Sequence, residues 1–140
     1  MENSSFSNPA DKLVLIVDDE ENIRELLEFV VKKEGFRVDR AVDGEEALSK
    51  ARQASPDIIL LDLMHPKFGG FEILRELQGD GTANIPIVVI TGRYTDRLTS
   101  EMIRREPNVR DFIVKPVKPQ IIAALLHKLL NTQPPVKSNR

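Results

Sequence analysis

Four places in the chain carry side chains that could do chemistry together: Asp18-Asp19, Asp62, Thr91 and Lys115. Each closes an apolar run. Asp62 ends Ile58-Ile59-Leu60-Leu61, where a carboxylate costs free energy unless its charge is compensated. Read singly, the acidic residues and Thr91 could cap helices or loops, and Lys115 could be a solvated lysine. Read together they supply three carboxylates, a hydroxyl and an ammonium. Carboxylates gathered at one place repel, and a hard divalent cation relieves this. Mg²⁺ fits best, since it takes one or two carboxylates, keeps several waters and accepts phosphate oxygens. Lys115 adds a point charge suited to a phosphoryl oxygen. A carboxylate can attack phosphorus to give an aspartyl phosphate, and Asp62, flanked by the other groups, is placed for that role. Catalysis would then consist of positioning and charge neutralisation.

These groups meet only if the elements carrying them run the same way. Lys12–Val17, Asp57–Leu61, Pro86–Ile90 and Arg110–Val114 read as strands, the first three continuously apolar, as in a sheet covered on both faces. Phe36–Ala41 alternates, which suits a strand nearer an edge. Ile23, Leu26, Leu27, Val30 and Val31 recur at helical spacing, capped by Asp19 or a neighbour and ended by Gly35. Asp43-Gly-Glu-Glu46 reads as a capping box before Ala47, Leu48 and Ala51. Phe71, Leu74 and Leu77 set up a third helix after Gly69-Gly70. Tyr94–Arg105 is a fourth, with Leu98, Met102 and Ile103 inward, and Ile121, Ile122, Leu125, Leu126 and Leu129 mark the last. Alternating strands and helices imply an α/β, doubly wound parallel sheet with right-handed crossovers. Its βα loops gather at the carboxyl edge, where ligands bind in open α/β folds.

The 140 residues suit a single domain. There is no cysteine, so disulfide and thiolate chemistry are excluded. No run is long enough to span a bilayer, the N-terminus is not a signal peptide, and cytoplasmic is the default expectation. A net charge of −2 gives no reason to expect nucleic-acid binding by this chain. Residues 1–11 read as a disordered lead-in, 12–130 as the domain, and 131–140, with Pro134-Pro135, as a flexible tail or the start of a linker.

Val17-Asp18-Asp19-Glu20, Asp62-Leu63-Met64-His65-Pro66 with Gly70, Thr91-Gly92 and Phe112-Ile113-Val114-Lys115-Pro116 together resemble the receiver domain of two-component response regulators. The resemblance covers about Lys12 to Leu130. It implies a flavodoxin-like (βα)5 sheet of order 2-1-3-4-5, and Asp62 as acceptor of a phosphoryl group from a sensor histidine kinase or a histidine phosphotransfer protein. It implies Mg²⁺ bound by Asp18 or Asp19 (one through water), by Asp62 and by the backbone carbonyl of Met64. Lys115 would pair with the phosphoryl group and Thr91 would move to hydrogen-bond it. Phe112, at the family's aromatic switch position, would follow Thr91 and alter the surface of the fourth helix, fifth strand and fifth helix for a downstream effector. On this reading the chain is no enzyme beyond catalysing its own phosphorylation and dephosphorylation.

Gly92, Gly69 and Glu106-Pro107-Asn108 depart from the commonest family pattern without removing a chemical group. His65 reads as a solvated loop histidine. Met64 and Arg93, near the path of water to an acyl phosphate, are expected to slow its hydrolysis. Arg93, Arg97, Arg104, Arg105 and Arg110 make the fourth-helix region basic, which with Asp96, Glu101 and Glu106 interspersed reads as a solvated face. Two other readings compete. A pseudo-receiver binds partners without phosphorylation; loss of Asp62, Lys115 or a member of the acidic pair would favour it, and all are present. An aspartyl-phosphate phosphatase would need a second carboxylate soon after Asp62, where Leu63, Met64 and His65 stand. No helix-turn-helix or second core is present. With Met1 at the start, a receiver at the end of a hybrid kinase is not expected.

Overall fold

Strands that are apolar at every position need cover on both faces. The computed structural model, which describes residues 6–63, 71–79, 81–92 and 97–135, supplies it. Five strands, β1 (Leu13–Val17), β2 (Arg37–Ala41), β3 (Ile58–Leu63), β4 (Ile87–Thr91) and β5 (Val109–Val114), alternate with five helices. The helices are α1 (Glu21–Lys33), α2 (Gly44–Ala54), α3 (Phe71–Glu76), α4 (Arg97–Arg104) and α5 (Pro119–Leu130). Every strand pairing is parallel, in the order β2-β1-β3-β4-β5. This is the flavodoxin-like arrangement that the resemblance implies, and β2 takes the edge that its alternation suggests. No helix among the described residues is long and apolar enough to cross a membrane.

Alternate residues of the central strands feed two cores. Leu15, Val17, Ile59, Leu61, Ile87 and Val89 pack on the side of α2, α3 and α4. Val14, Ile16, Ile58, Leu60, Val88 and Ile90 pack against Leu27, Val30 and Val31 of α1 and Ile122, Leu126 and Leu130 of α5. In parallel neighbours the side-chain period is 2, so register alone decides which residues at the strand ends share a face. Ile16 lies opposite Leu60, and Leu63 opposite Thr91.

Local chemistry explains the ends of the elements. Asp43 caps α2, accepting the Glu46 N–H at 2.8 Å, while the Glu46 carboxylate accepts the Val42 N–H at 2.8 Å. Ser55 ends that helix in the left-handed region, at φ 46°. Gly35, at φ +97°, takes the turn after α1 that a side chain would strain.

One expectation is narrowed and two are corrected. Of Asp19 and its neighbours, Glu20 stands at the N-cap of α1, and its side chain makes no capping bond. Instead the Asp18 carboxylate accepts the Glu20 N–H at 2.8 Å. β3 begins at Ile58 rather than Asp57 and continues through Asp62, which pairs with Ile90. In α4 the inward pair is Thr99 and Ile103, while Leu98 and Met102 are exposed, at 73% and 47%. Both pairs have the i, i+4 spacing of one helix face. They differ by a rotation of one residue, which periodicity in so short a helix does not resolve.

The segments flanking the domain meet in a way the sequence did not signal. Ser7 bridges Thr132, and its N–H donates to the Asn131 carbonyl at 2.8 Å. Beneath them the buried His127 ring lies 2.7 Å from the Thr132 hydroxyl and 2.8 Å from Glu34.

Candidate functional site at the carboxyl edge of the sheet

Asp18 follows Ile16 by two residues and Asp62 follows Leu60 by two. The register of β1 against β3 therefore carries both carboxylates to the α1/α5 face, side by side. Lys115, just past β5, donates its N–H to the Thr91 carbonyl at 2.8 Å. Its ammonium lies 2.6 Å from Asp62 Oδ2 and 3.6 Å from Glu20 Oε1. Asp62 is 1% exposed at its side chain, and Asp18 is 1% exposed overall. Thr91, fully buried, donates its hydroxyl to the Leu63 carbonyl at 3.0 Å, one residue past Asp62.

Electrostatics follow from this crowding. Burial, then the adjoining Asp62 carboxyl, push the Asp18 pKa up to about 7, against the opposing effect of the Glu20 N–H. Burial works against the Lys115 ammonium, but Asp62, Asp18 and Glu20 outweigh it and raise its pKa above the ordinary lysine value. Among the described residues, Asp18 Oδ2 and Asp62 Oδ1 have no hydrogen-bond partner, and Asp62 Oδ2 has the Lys115 ammonium as its neighbour. Buried carboxylate oxygens that serve no structural bond are unusual. Here they converge where a hard cation would be held by oxygen.

The site brings Asp18, Asp62 and Lys115 together, with Thr91 one residue away on the adjoining strand. Asp19 is exposed, and no group of three His, Cys, Asp or Glu side chains arranged to hold a metal occurs among the described residues. Two carboxylates with backbone and water oxygens fit Mg²⁺ better than a closed side-chain cage. Met64, His65, Gly69, Gly70, Arg93, Tyr94 and Asp96 lie outside the described residues. Phe112 is buried, 9% exposed, in the core shared with α4. The Arg104 guanidinium covers its ring at 4.6 Å from the centroid.

Sequence reasoning missed three participants. Glu20 contacts Lys115, Arg24 Nη1 donates to the Asp18 carbonyl at 2.9 Å, and Arg104 covers Phe112. Glu20 alone left a signal, because it directly follows the acidic pair. The two arginines look like any surface charge.

The chain as a whole matches known proteins. Residues 14–127 match the model of the response regulator receiver domain. The chain belongs to that family, and it carries the family's fold as a single domain. It is 36% identical to the alkaline phosphatase synthesis transcriptional regulatory protein PhoP of Bacillus subtilis, over 86% of this chain and 49% of that protein. It is 37% identical to the DNA-binding response regulator MtrA of Mycolicibacterium paratuberculosis, over 79% of this chain and 48% of that one. The chain thus spans about half the length of the curated relatives it matches. In structure it is similar to a CheY-like receiver domain protein from Methanospirillum hungatei, with a TM-score of 0.76 and 25% identity, covering 86% of this chain and 94% of that one. The chemotaxis protein CheY4 of Vibrio cholerae aligns with a TM-score of 0.73 and 28% identity, over 85% and 98% of the two chains.

Proposed function

We propose that Asp62 accepts a phosphoryl group from a phosphohistidine on a sensor histidine kinase or a histidine phosphotransfer protein, in the cytoplasm. The observation carrying this reading is a buried carboxylate with one oxygen 2.6 Å from a lysine ammonium, the other without a hydrogen-bond partner, and a second buried acid beside it. In the step, an Asp62 oxygen forms a bond to phosphorus as the P–N bond to the donor imidazole breaks, and the imidazole leaves with a proton. Asp18, Asp62 and the Met64 backbone carbonyl would hold Mg²⁺, with Asp19 contributing through water. The bound ion supplies neutralisation of the transferring oxygens. Lys115 pairs with the phosphoryl group, and Thr91 leaves the Leu63 carbonyl to hydrogen-bond it.

Residues 12–130 act as the receiver unit, with 1–11 as lead-in and 131–140 as tail or linker. The signal leaves through α4, β5 and α5. That face exposes Leu98 and Met102, Val114 at 48% and Ile121 at 52%, an apolar set a downstream effector can cover. Thr91 and Phe112 are the switch pair. DNA binding is stated in the name of the relative MtrA for that protein, and no nucleic acid is assigned to this chain.

The test is intact-mass analysis after incubation with acetyl phosphate and Mg²⁺. One phosphoryl adduct is expected, lost in Asp62→Asn and without metal. Folded wild-type protein that gains no adduct overturns the proposal and leaves an interaction module working without phosphorylation.

A further inference from the structure

Glu20 occupies the N-cap of α1, where a side chain ordinarily accepts a hydrogen bond from the first turn of its own helix. It makes none. Its N–H is held by Asp18 Oδ1 at 2.8 Å, and its carbonyl accepts the Arg24 N–H at 3.0 Å, so its backbone is fixed. From there the side chain turns to Lys115, 3.6 Å away. The two carboxylates around this ammonium differ in depth. Asp62 is 1% exposed and Glu20 is 50% exposed at the side chain, so Lys115 stands between an inner and an outer anion.

That placement matters to the nucleophile. A lysine 2.6 Å from Asp62 Oδ2 draws electron density from the carboxylate that must attack phosphorus. After transfer, the negative charge lies on phosphoryl oxygens farther out than the carboxylate was. Lys115 therefore has to move outward for the reaction to proceed, toward the side on which Glu20 stands.

Resting on the phosphoacceptor reading above, we infer that Glu20 is a positioning residue for Lys115: it offers the ammonium an outer counter-ion, loosens it from Asp62, and so speeds phosphoryl transfer.

The alternative effect of Glu20 has the opposite sign. A plain surface negative charge beside the site repels an anionic donor, and its removal would speed the reaction. The experiment compares wild type, Glu20→Gln, Glu20→Asp and Asp62→Asn. Each is incubated with acetyl phosphate at saturating Mg²⁺, and adduct formation is followed by intact mass. Glu20→Gln is expected to slow the initial rate about threefold to fivefold at low ionic strength, as a partly exposed ion pair allows. The difference should shrink in high salt, and Glu20→Asp should recover part of the rate. In parallel, the Lys115 ε-methylene resonance of unphosphorylated protein labelled with ¹³C-lysine is compared between wild type and Glu20→Gln, and a shift is expected. A rate in Glu20→Gln equal to or above wild type, or an unmoved Lys115 resonance, overturns the inference. A wild type that takes no phosphoryl group sinks the parent reading, while the resonance still decides whether Glu20 holds Lys115.

Discussion

Asp18→Asn will make the metal-free protein more stable at pH 8 and, with Mg²⁺ held as proposed above, will remove most of the stabilisation expected from the metal. The Asp18 carboxyl loses its proton near pH 4 in an unfolded chain but holds it to about 7 in the fold, because it is buried against Asp62. Between those values the folded state binds more protons than the unfolded one. This contribution to stability is therefore full below about pH 4 and is lost as pH rises through about 7. Above that, the fold carries a buried charge that Lys115 and the Glu20 N–H compensate only in part, at a cost of about 2 to 4 kcal/mol. An asparagine of the same shape has no charge to bury. Urea unfolding followed by circular dichroism from pH 5 to 8 should show falling stability for the metal-free wild type and a much flatter curve for Asp18→Asn. Mg²⁺ favours ionised Asp18, so it should stabilise wild type more at pH 8 than at pH 5. A metal-free wild type as stable at pH 8 as at pH 5 would show that Asp18 does not hold its proton in the fold.

The same two residues show why much of the site was readable in the sequence. A strand that must be buried on both faces leaves only its end free for a charged group, so Asp18, Thr91 and Lys115 announce the sheet edge by composition alone. Parallel order then places them on one rim. Which side chains share a face was harder to read. Val109 packs with the α2/α3/α4 core, and by strict alternation Phe112 would then face the opposite one. The pairing slips by one residue, so that Ile87 lies opposite Val109 but Val88 opposite Asp111. That bulge at Arg110 returns Phe112 to the core beside Val89, under Arg104, and swings the residues of odd number, through Ile113, to the other face. Lys115 reaches Asp62 on that account. No residue type at Arg110 marks a bulge, and the outward turn of Leu98 and Met102 was equally hidden, since an i, i+4 pair can face either way. The tie between Ser7 and Thr132 rests on partners far apart in sequence.

Asn108 is the buried group whose replacement should cost most without touching the chemistry. It stands in the Glu106-Pro107-Asn108 turn that departs from the commoner family pattern, and it is 4% exposed. Its amide donates to the Ile85 carbonyl at 3.0 Å and toward the Leu77 carbonyl at 3.5 Å, while its oxygen accepts from Gln78. One side chain thus satisfies a carbonyl just after α3, tethers the segment before β4, and fixes the start of β5, where the Asn108 carbonyl takes the Ile87 N–H at 2.7 Å. Asn108→Asp keeps the shape and inverts the chemistry. The carboxylate has no donor to offer, and it faces two carbonyl oxygens in a buried site. Destabilisation of roughly 3 to 5 kcal/mol is expected at pH 8, against about 2 kcal/mol for Asn108→Ala, which removes the bonds but buries no charge. A carboxyl so placed keeps its proton to higher pH in the fold than in the unfolded chain. Lowering the pH toward 5 should therefore recover part of the loss in Asn108→Asp and none in Asn108→Ala. Equal pH dependence in the two variants would show that the aspartate escapes to solvent. Because the turn lies at the opposite end of β5 from Lys115, each variant should still accept a phoshoryl group on Asp62 at a temperature where it is folded, which separates the scaffold from the chemistry it holds.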